Sequence, residues 1–270
     1  MTGGCDSKTT IACANGLYDR FSYYSYISSE PEKPDADAAH KIAGLIGVEH
    51  AIHMIPDNDS EYKDIELIRM IINCNCGYIG VNNENDVRKR VYYLYNKSFD
   101  TEIKSWVSEA ARAYYYKRFA KERFPKKVTP RYMTAMYKVF FTERNLVRKT
   151  DNVFRDYLNR YYNDEIFSMV PWTDLLFWEY RISSWNSLVI SHEQQLSYDI
   201  AIPYNNRRLL ELMLSLPLDK RISDTPHKDI QKLMNKKIAD TSIAVTNLMH
   251  TDKRAKFERL YLSIQTKLPF

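Results

Sequence analysis

Residues 2–7, TGGCDS, open the sequence directly after Met1, and this stretch decides the fold that we predict. The chain has only seven glycines, and two of them, Gly3 and Gly4, stand side by side here. Paired glycines tolerate positive φ angles and let backbone N–H groups approach a ligand closely. A helix that begins near Ser7 would add the positive end of its dipole, so the stretch predicts a turn that binds phosphate or pyrophosphate.

Asp6 is the residue in this stretch that a bound anion would repel. A divalent cation between the carboxylate and the phosphate removes that repulsion, so Asp6 is a candidate Mg²⁺ ligand. The alternative is an ordinary Gly-Gly turn in which Asp6 caps the next helix. The sequence around Asp6 leaves both interpretations open.

The overall composition is that of a globular protein with a mild positive charge. The chain has 270 residues and a net charge of +5, which suits an anionic ligand without requiring nucleic acid. Four cysteines are too few for a disulfide framework in a chain of this length, so we expect reduced thiols. No apolar run approaches the ~18 residues of a membrane span. We therefore expect a cytoplasmic protein that binds neither membrane nor nucleic acid.

Strand and helix patterns alternate in the first part of the chain. Alternating or β-rich segments predict strands, and apolar residues at spacings of three and four predict helices. The predicted strands are residues 21–27, 48–55, 91–95 and 103–107, and the predicted helices are residues 9–17, 35–47 and 61–73. This order predicts an α/β fold, a parallel twisted sheet with flanking helices.

The pattern changes after about residue 110, where long amphipathic stretches follow one another. They predict helices at residues 108–122, 130–141, 152–162, 172–190, 207–215 and 228–238. We therefore divide the chain into a nucleotide-binding α/β part, residues 1–125, and a mostly helical part, residues 126–270. Because ligands of open α/β sheets lie at the carboxyl ends of strands, we also expect a strand before the opening loop, and hence that the chain is truncated at Met1.

The opening stretch resembles the Ser-Gly-Gly-x-Asp-Ser loop of the ATP pyrophosphatases. Three later segments are similar, in the same order, to the synthetase domain of the asparagine synthetase-like family of these enzymes. They are residues 35–50, residues 202–217 (IPYNNRRLLELMLSLP) and residues 227–232 (HKDIQK). The resemblance implies the adenine nucleotide α-hydrolase-like fold and covers most of the chain.

The resemblance also implies a set of site residues. Thr2, Gly3, Gly4, Asp6 and Ser7 would form the pyrophosphate loop. The remaining candidates are Ser25 and Ser28 beside adenine or ribose, Lys228 as the cation of the transition state, Glu109 as the second Mg²⁺ ligand after Asp6, and Arg112 for a phosphate or carboxylate. The family's glycine-rich acidic loop is replaced here by residues 105–109 (SWVSE), and Thr2 stands where serine is usual.

The family reaction, as the resemblance implies it, uses ATP and Mg²⁺ to adenylate a carboxylate and releases pyrophosphate. The substrate would be a small molecule, a sugar or a peptide carboxylate. Ammonia or an amine then attacks the acyl-adenylate, and the nitrogen would come from a glutaminase domain or subunit outside this sequence. Two alternatives stay open: a tRNA-modifying ATP pyrophosphatase, and a non-catalytic nucleotide-binding remnant of the fold.

Overall fold

The computed structural model shows an α/β fold that is mostly helical. It describes residues 1–58, 62–76, 84–96, 99–137, 143–162, 164–240, 243 and 252–267. Within these residues, no helix combines the length and the apolar composition that crossing a bilayer requires.

The first part begins with a helix–strand–helix–strand unit. Helix α1 spans Cys5–Cys13, four residues earlier than predicted, because Gly4 is its N-cap and Asp6 suits the positive end of a helix dipole. Strand β1 (Tyr23–Ile27), helix α2 (Lys33–Ile46) and strand β2 (His50–Met54) follow as predicted, with shifted ends. The strands pair in parallel, which agrees with the predicted α/β crossover.

The sequence analysis was wrong about residues 91–95, which belong to a helix and not to a strand. Helix α4 spans Glu84–Tyr95, and Val87 and Val91 lie one turn apart on its buried face. They pack against Ile68 and Ile72 of helix α3 (Ile65–Cys76). The predicted helix 61–73 is thus confirmed from residue 65, while residue 61 lies outside the described residues.

A second pair of parallel strands lies near the first. Strand β3 (Thr101–Ile103) covers only the beginning of the predicted strand 103–107. Its partner is β4 (Asp199–Ala201), which the sequence analysis missed because three residues are too short for a periodic pattern. The described residues therefore contain two two-stranded parallel sheets, β1–β2 and β3–β4.

The helical part follows the predicted order, but several of the predicted helices are interrupted. Residues 108–122 form a 3₁₀ turn, Ser108–Arg112, and helix α5, Tyr114–Phe119, because Ala113 adopts a left-handed φ of +50°. The predicted helices 130–141 and 152–162 are confirmed as α6 (Pro130–Tyr137) and α7 (Arg144–Tyr161). Residues 138–141 of the first prediction lie outside the described residues.

The remaining helices complete this part of the molecule. The predicted helix 172–190 consists of α9 (Trp172–Phe177), a π-helical segment (Trp178–Asn186) and α10 (Ser187–Leu196), and α8 (Asp164–Met169) precedes it. After β4 come α11 (Arg207–Leu214), α12 (Leu218–Ile222), α13 (Thr225–Met234), α14 (Lys236–Ala239) and α15 (Asp252–Gln265).

The largest hydrophobic core lies in this helical part and is rich in aromatic rings. Phe119, Phe154 and Leu176 are among its fully buried members. This core crosses the predicted boundary at residue 125, because Tyr115 packs in the same cluster as Leu262 of α15. The boundary at residue 125 stays a prediction.

Candidate functional site

The opening loop passes directly into α1, whose first turn has no side-chain cap. Gly4 is the N-cap, with φ −66° and ψ 160°. The first N–H groups of any helix lack partners inside the helix, so those of Cys5, Asp6 and Ser7 are available to an anion. Of the described glycines, only Gly16 and Gly47 have positive φ angles, so the expectation of positive φ in the loop is wrong. The missing side chain of Gly4, and not its backbone angle, is what leaves space at the loop.

Short polar contacts hold the loop in place. The N–H of Gly3 donates to Oδ1 of Asp35 at 2.8 Å, so this amide is already engaged. The hydroxyls of Thr2 and Ser7 lie 2.6 Å apart across the loop. Ser25, on β1, donates to the carbonyl of Met1 at 2.7 Å. These contacts place the loop at the carboxyl end of β1, where ligands of α/β sheets bind.

A pocket of about 1070 Å³ opens beside the loop. Its volume is at the upper end of the range for small-molecule sites. Of the residues that the sequence analysis selected, those that line it are Thr2, Gly3, Gly4, Asp6, Ser25, Arg112 and Lys228. Ser7 and Glu109 line a second cavity of about 530 Å³, which shares Thr2 and Asp6 with the first.

Ser28 does not line either of these two cavities. Its N–H and its hydroxyl both donate to Oε2 of Glu32, at 2.7 and 2.9 Å. Glu32 also forms an ion pair with Lys89 of α4. The structure therefore places Ser28 in a contact that joins β1 to the turn before α2, whereas Ser25 lies at the pocket wall.

Asp6 lies within a network of charged side chains under the loop. Its carboxylate accepts hydrogen bonds from Arg112 and from the hydroxyl of Ser108. The other side of the Arg112 guanidinium binds Asp224 in a bidentate pair, with Nε–Oδ1 and Nη2–Oδ2 distances of 2.8 and 3.2 Å. Lys117 of α5 also binds Asp224. Two carboxylates and two cations thus balance, which keeps these partly buried charges compensated.

Asp224, like Lys117 and Ser108, is a residue of this network that the sequence analysis missed. Burial acts to raise the pKa of its carboxyl, but the hydrogen bonds and charges of Arg112 and Lys117 outweigh burial and keep the pKa below its usual range. Its φ of +58° is left-handed, and it stands at the N-cap position of α13 with Pro226 in the first turn. The sequence signals a helix start there, but the pairing with Arg112 joins residues 112 positions apart.

His227 lies fully buried behind Asp6, with its Nε2 3.5 Å from a carboxylate oxygen. Burial lowers the pKa of this imidazole to about 4, although the charge of Asp6 acts in the opposite direction. Neither ring nitrogen has a hydrogen-bond partner among the described residues. At neutral pH His227 is therefore an uncharged group, and it does not compete with Arg112 for Asp6.

Glu109 lies at the end of the second cavity, on the 3₁₀ turn that also carries Arg112. Burial raises the pKa of Glu109 to about 7, and the charge of Asp6 adds to this effect. Its Oε2 is buried and has no hydrogen-bond partner among the described residues. An orphaned carboxylate oxygen beside a second carboxylate fits a cation, and Mg²⁺ is often held by one or two carboxylates with phosphate oxygens and water. Within the described residues, no group of three or more acidic, His or Cys side chains is arranged around a common point.

Lys228 lies on the exposed face of α13 at the rim of the larger pocket. Its Nζ donates to the carbonyl of Ser223 at 2.7 Å. Lys232 lines the same pocket one helical turn later. The two lysines give this rim a positive charge on the side of the pocket that faces the start of α1.

The structure thus brings most of the predicted residues together around the loop, with Ser28 outside the two cavities. Comparison of the chain with protein-family models, with curated proteins and with solved structures finds no match. The resemblance to the asparagine synthetase-like family therefore rests on the sequence motifs alone and stays a prediction.

Proposed function

We propose that this chain is an ATP-dependent, asparagine synthetase-like ligase that adenylates a carboxylate substrate and forms an amide. The observation that carries the proposal is the uncapped start of α1, which opens onto the 1070 Å³ pocket at the carboxyl end of β1. Helix N-termini bind phosphate groups through their N–H groups and their dipole. Lys228 and Lys232 add positive charge at the same pocket.

Each group has a role in the proposed reaction. The N–H groups of Gly4 and of the first turn of α1 hold the pyrophosphate. The substrate carboxylate attacks the α-phosphorus of ATP and pyrophosphate leaves; ammonia or an amine then attacks the acyl carbon, and AMP leaves. Lys228, released from the Ser223 carbonyl, stabilises negative charge on the α-phosphate in the transition state.

The acidic residues serve the metal in this proposal. Mg²⁺, when bound, supplies positive charge to the phosphate oxygens, and Asp6 and Glu109 are the residues that would hold it. Arg112 uses both sides of its guanidinium on Asp6 and Asp224, so we assign it to positioning Asp6. This differs from the phosphate or carboxylate contact that the resemblance implies for Arg112.

The proposal includes a single twisted parallel sheet that contains both strand pairs. Two contacts of Tyr24 on β1 with β3 and with the residues just before it support this sheet. The hydroxyl of Tyr24 on β1 donates to Oε1 of Glu102 on β3 at 2.6 Å. The ring of Tyr24 also stacks on Phe99, with ring centres 5.1 Å apart.

A non-catalytic nucleotide-binding protein is the second candidate. The observation that favours it is the engagement of Asp6 by Arg112 and Ser108, which leaves its carboxylate fewer lone pairs for a metal. Such a protein would bind Mg-ATP at the loop without turning it over. Nothing among the described residues adds support to tRNA modification.

The test is substrate-dependent exchange of pyrophosphate into ATP, across a panel of carboxylic acids, together with calorimetry of Mg-ATP binding. We expect exchange with at least one acid, and a loss of about 100-fold or more in Asp6→Asn. Asp37→Asn is the matched control, because Asp37 is exposed on α2 and lies outside the pocket.

The outcomes separate the candidates. Binding of Mg-ATP without exchange by any acid supports the non-catalytic protein and contradicts the ligase. If neither Mg-ATP nor pyrophosphate binds to the protein, both proposals are wrong. Equal exchange by Asp6→Asn and Asp37→Asn would remove Asp6 from the site.

A further inference from the structure

Two imidazole rings meet at the surface where α2 lies beside β2. His40 lies on α2, His50 is the first residue of β2, and their Nδ1 atoms are 3.4 Å apart. The ring centres are 5.6 Å apart and the ring planes are inclined by 47°, so the rings are tilted and not stacked. His40 is exposed and His50 is half-buried, so this pair of nitrogen atoms is accessible from solvent.

The hydrogen bonds of Ser25 determine which nitrogen of His50 carries the proton. The Ser25 hydroxyl has a single proton, and it donates this proton to the carbonyl of Met1 at 2.7 Å. Nε2 of His50 lies 2.9 Å from the same hydroxyl oxygen, so Nε2 donates and Ser25 accepts. A neutral imidazole has one N–H group. Nδ1 of His50 therefore carries a lone pair, and this atom is the one that lies next to His40.

This arrangement is typical of histidines that bind a metal ion. One ring nitrogen binds the ion, and the other donates its N–H to an oxygen acceptor, which fixes the tautomer and the orientation of the ring. The Ser25 hydroxyl is such an acceptor for His50. The ring of His40 is exposed, so its Nε2 can donate to water while its Nδ1 binds an ion.

The distance between the two nitrogen atoms indicates which ion fits. Zinc binds histidine nitrogen at about 2.0–2.1 Å, usually in tetrahedral geometry, which places two such nitrogens about 3.3 Å apart. The two Nδ1 atoms are separated by 3.4 Å, close to this value. In a square-planar Cu²⁺ or Ni²⁺ site, adjacent nitrogens would lie only about 2.8 Å apart. The geometry therefore favours a tetrahedral ion.

We propose that His40 and His50 form a zinc site between α2 and β2, in which Zn²⁺ binds both Nδ1 atoms and water molecules complete the tetrahedron. In the part of the chain that the structure describes, no three His, Cys, Asp or Glu side chains are grouped for a metal ion, so the protein supplies two ligands. Structural zinc sites have four protein ligands. We therefore expect this site to bind zinc reversibly and more weakly than a structural site does.

The zinc ion would connect two elements that hold the opening loop. Helix α2 carries Asp35, which accepts the N–H of Gly3 at 2.8 Å. His50 on β2 contacts Ser25, which binds the carbonyl of Met1. A ligand that binds only the folded protein stabilises it, so zinc should raise the melting temperature.

This inference does not depend on nucleotide binding. Neither His40 nor His50 lines the cavities of about 1070 and 530 Å³, and neither contacts Asp6 or Glu109 in the described structure. The ligase proposal and the zinc proposal can therefore fail separately.

The experiment titrates zinc chloride into the full chain by calorimetry and compares the wild type with His40→Ala. Cys13 and Cys74 are exposed thiols that can also bind zinc, so the result is the difference between the two proteins. We expect the site to bind zinc about 100-fold more weakly in His40→Ala.

Lys41→Gln is the matched control, because Lys41 is the next exposed residue of α2 and should leave zinc binding nearly unchanged. His40→Ala should fold normally, because His40 is exposed and alanine favours a helix. Its melting temperature in EDTA should therefore equal that of the wild type or exceed it slightly.

A second measurement tests the tautomer on which the proposal depends. Long-range proton–nitrogen NMR spectra of the zinc-free protein should show the proton of His50 on Nε2. Added zinc should shift the ring signals of both His40 and His50. Three results would each overturn the proposal: no zinc binding by the wild type, equal zinc binding by the wild type and His40→Ala, or a neutral His50 with its proton on Nδ1.

Discussion

The loop region and the helical part of this protein are held together by different interactions. Around α1 the buried apolar cluster is small and consists of Ile11, Ala12, Ile42 and Ile238. Its other contacts are ion pairs and polar hydrogen bonds, which join the loop to Arg112 and its partners. The helical part instead buries one large cluster that is dominated by aromatic and large aliphatic side chains.

The difference shows how this chain combines a binding region with a scaffold. A ligand pocket needs exposed amides, charges and space, so the residues around it cannot all pack against one another. The aromatic core supplies the apolar burial that this region lacks. We therefore expect changes in the helical core to affect stability, and changes at the loop to affect ligand binding.

The largest effect should come from the aromatic core. Phe119→Ala removes a fully buried ring, so we expect the free energy of unfolding to fall by about 4 kcal/mol in urea denaturation. Phe257→Ala is the matched control, because this ring is 56% exposed on α15, and its loss should be below about 1 kcal/mol. Similar losses for the two variants would contradict the assignment of stability to this core.

The next largest effect should come from the charged network. Arg112→Met leaves the partly buried Asp6 and Asp224 without their shared cation, so we expect a loss of about 2 kcal/mol in the free energy of unfolding. Arg207→Met breaks the exposed pair with Glu211 and should leave the free energy of unfolding nearly unchanged. If Arg112→Met costs no more than Arg207→Met, the network does not hold the loop.

A smaller effect should appear as a pH dependence at β2. Burial lowers the pKa of His50 to about 4, and its ring lies 2.9 Å from the Ser25 hydroxyl and close to His40. The unfolded state, with a pKa near 6.5, binds more protons than the folded state between pH 6.5 and 4, so this contribution to stability is lost as the pH falls through that window. His50→Asn should flatten the curve.

The measurement is the midpoint of urea denaturation at several pH values from 7.5 to about 4. The wild-type midpoint should fall more steeply than that of His50→Asn below about pH 6.5. Parallel curves for the two proteins would show that His50 keeps an ordinary pKa.

The smallest effect on stability should come from the loop itself. A Cβ on Gly4 would meet Thr2 Oγ1 at 3.6 Å, an ordinary contact, and the φ of −66° suits alanine. Gly4→Ala should therefore change the free energy of unfolding by less than about 0.5 kcal/mol. It should nevertheless weaken pyrophosphate binding about ten-fold or more, since the added methyl group occupies the pocket wall.

Gly44→Ala is the control for this loop variant. A Cβ on Gly44, on the exposed side of α2, meets nothing within 4 Å, so alanine should stabilise the helix by about 0.5 kcal/mol and leave binding unchanged. Equal pyrophosphate affinities for the two variants would show that the ligand does not approach Gly4.

Local sequence patterns predicted much of the first part of this molecule. Strand 21–27 and helix 35–47 carry strong local signals: a run of aromatic and β-branched residues, and apolar residues at helical spacing that end at Gly47. Residues 91–95 show the limit of such patterns. VYYLY suits a strand in isolation, but the buried positions of α4 and its packing on α3 decide the helix.

Residue types predicted the opening loop of the candidate site, and the family resemblance selected Ser25, Glu109, Arg112 and Lys228 elsewhere in the chain. The loop 2–7 was found from its own residue types, whereas Asp224, Lys117 and Ser108 were missed. These three reach the loop from distant elements, and no short motif marks them. Arg112 was selected, but its role between two carboxylates became visible only when α13 was in place.

The amino-acid sequence by itself determined the opening loop, the order of the first strands and helices, and the helical character of the second part. These features depend on residue types and on hydrophobic periodicity within short segments of the sequence. The tertiary structure decided the rest: the helix at residues 84–95, the φ angles of the loop glycines, the charged network and the two cavities. The helix at residues 84–95 depends on its packing against α3. The charged network joins residues about 100 positions apart, and the entropy of loop closure opposes such contacts until the packing of the whole fold makes them favourable.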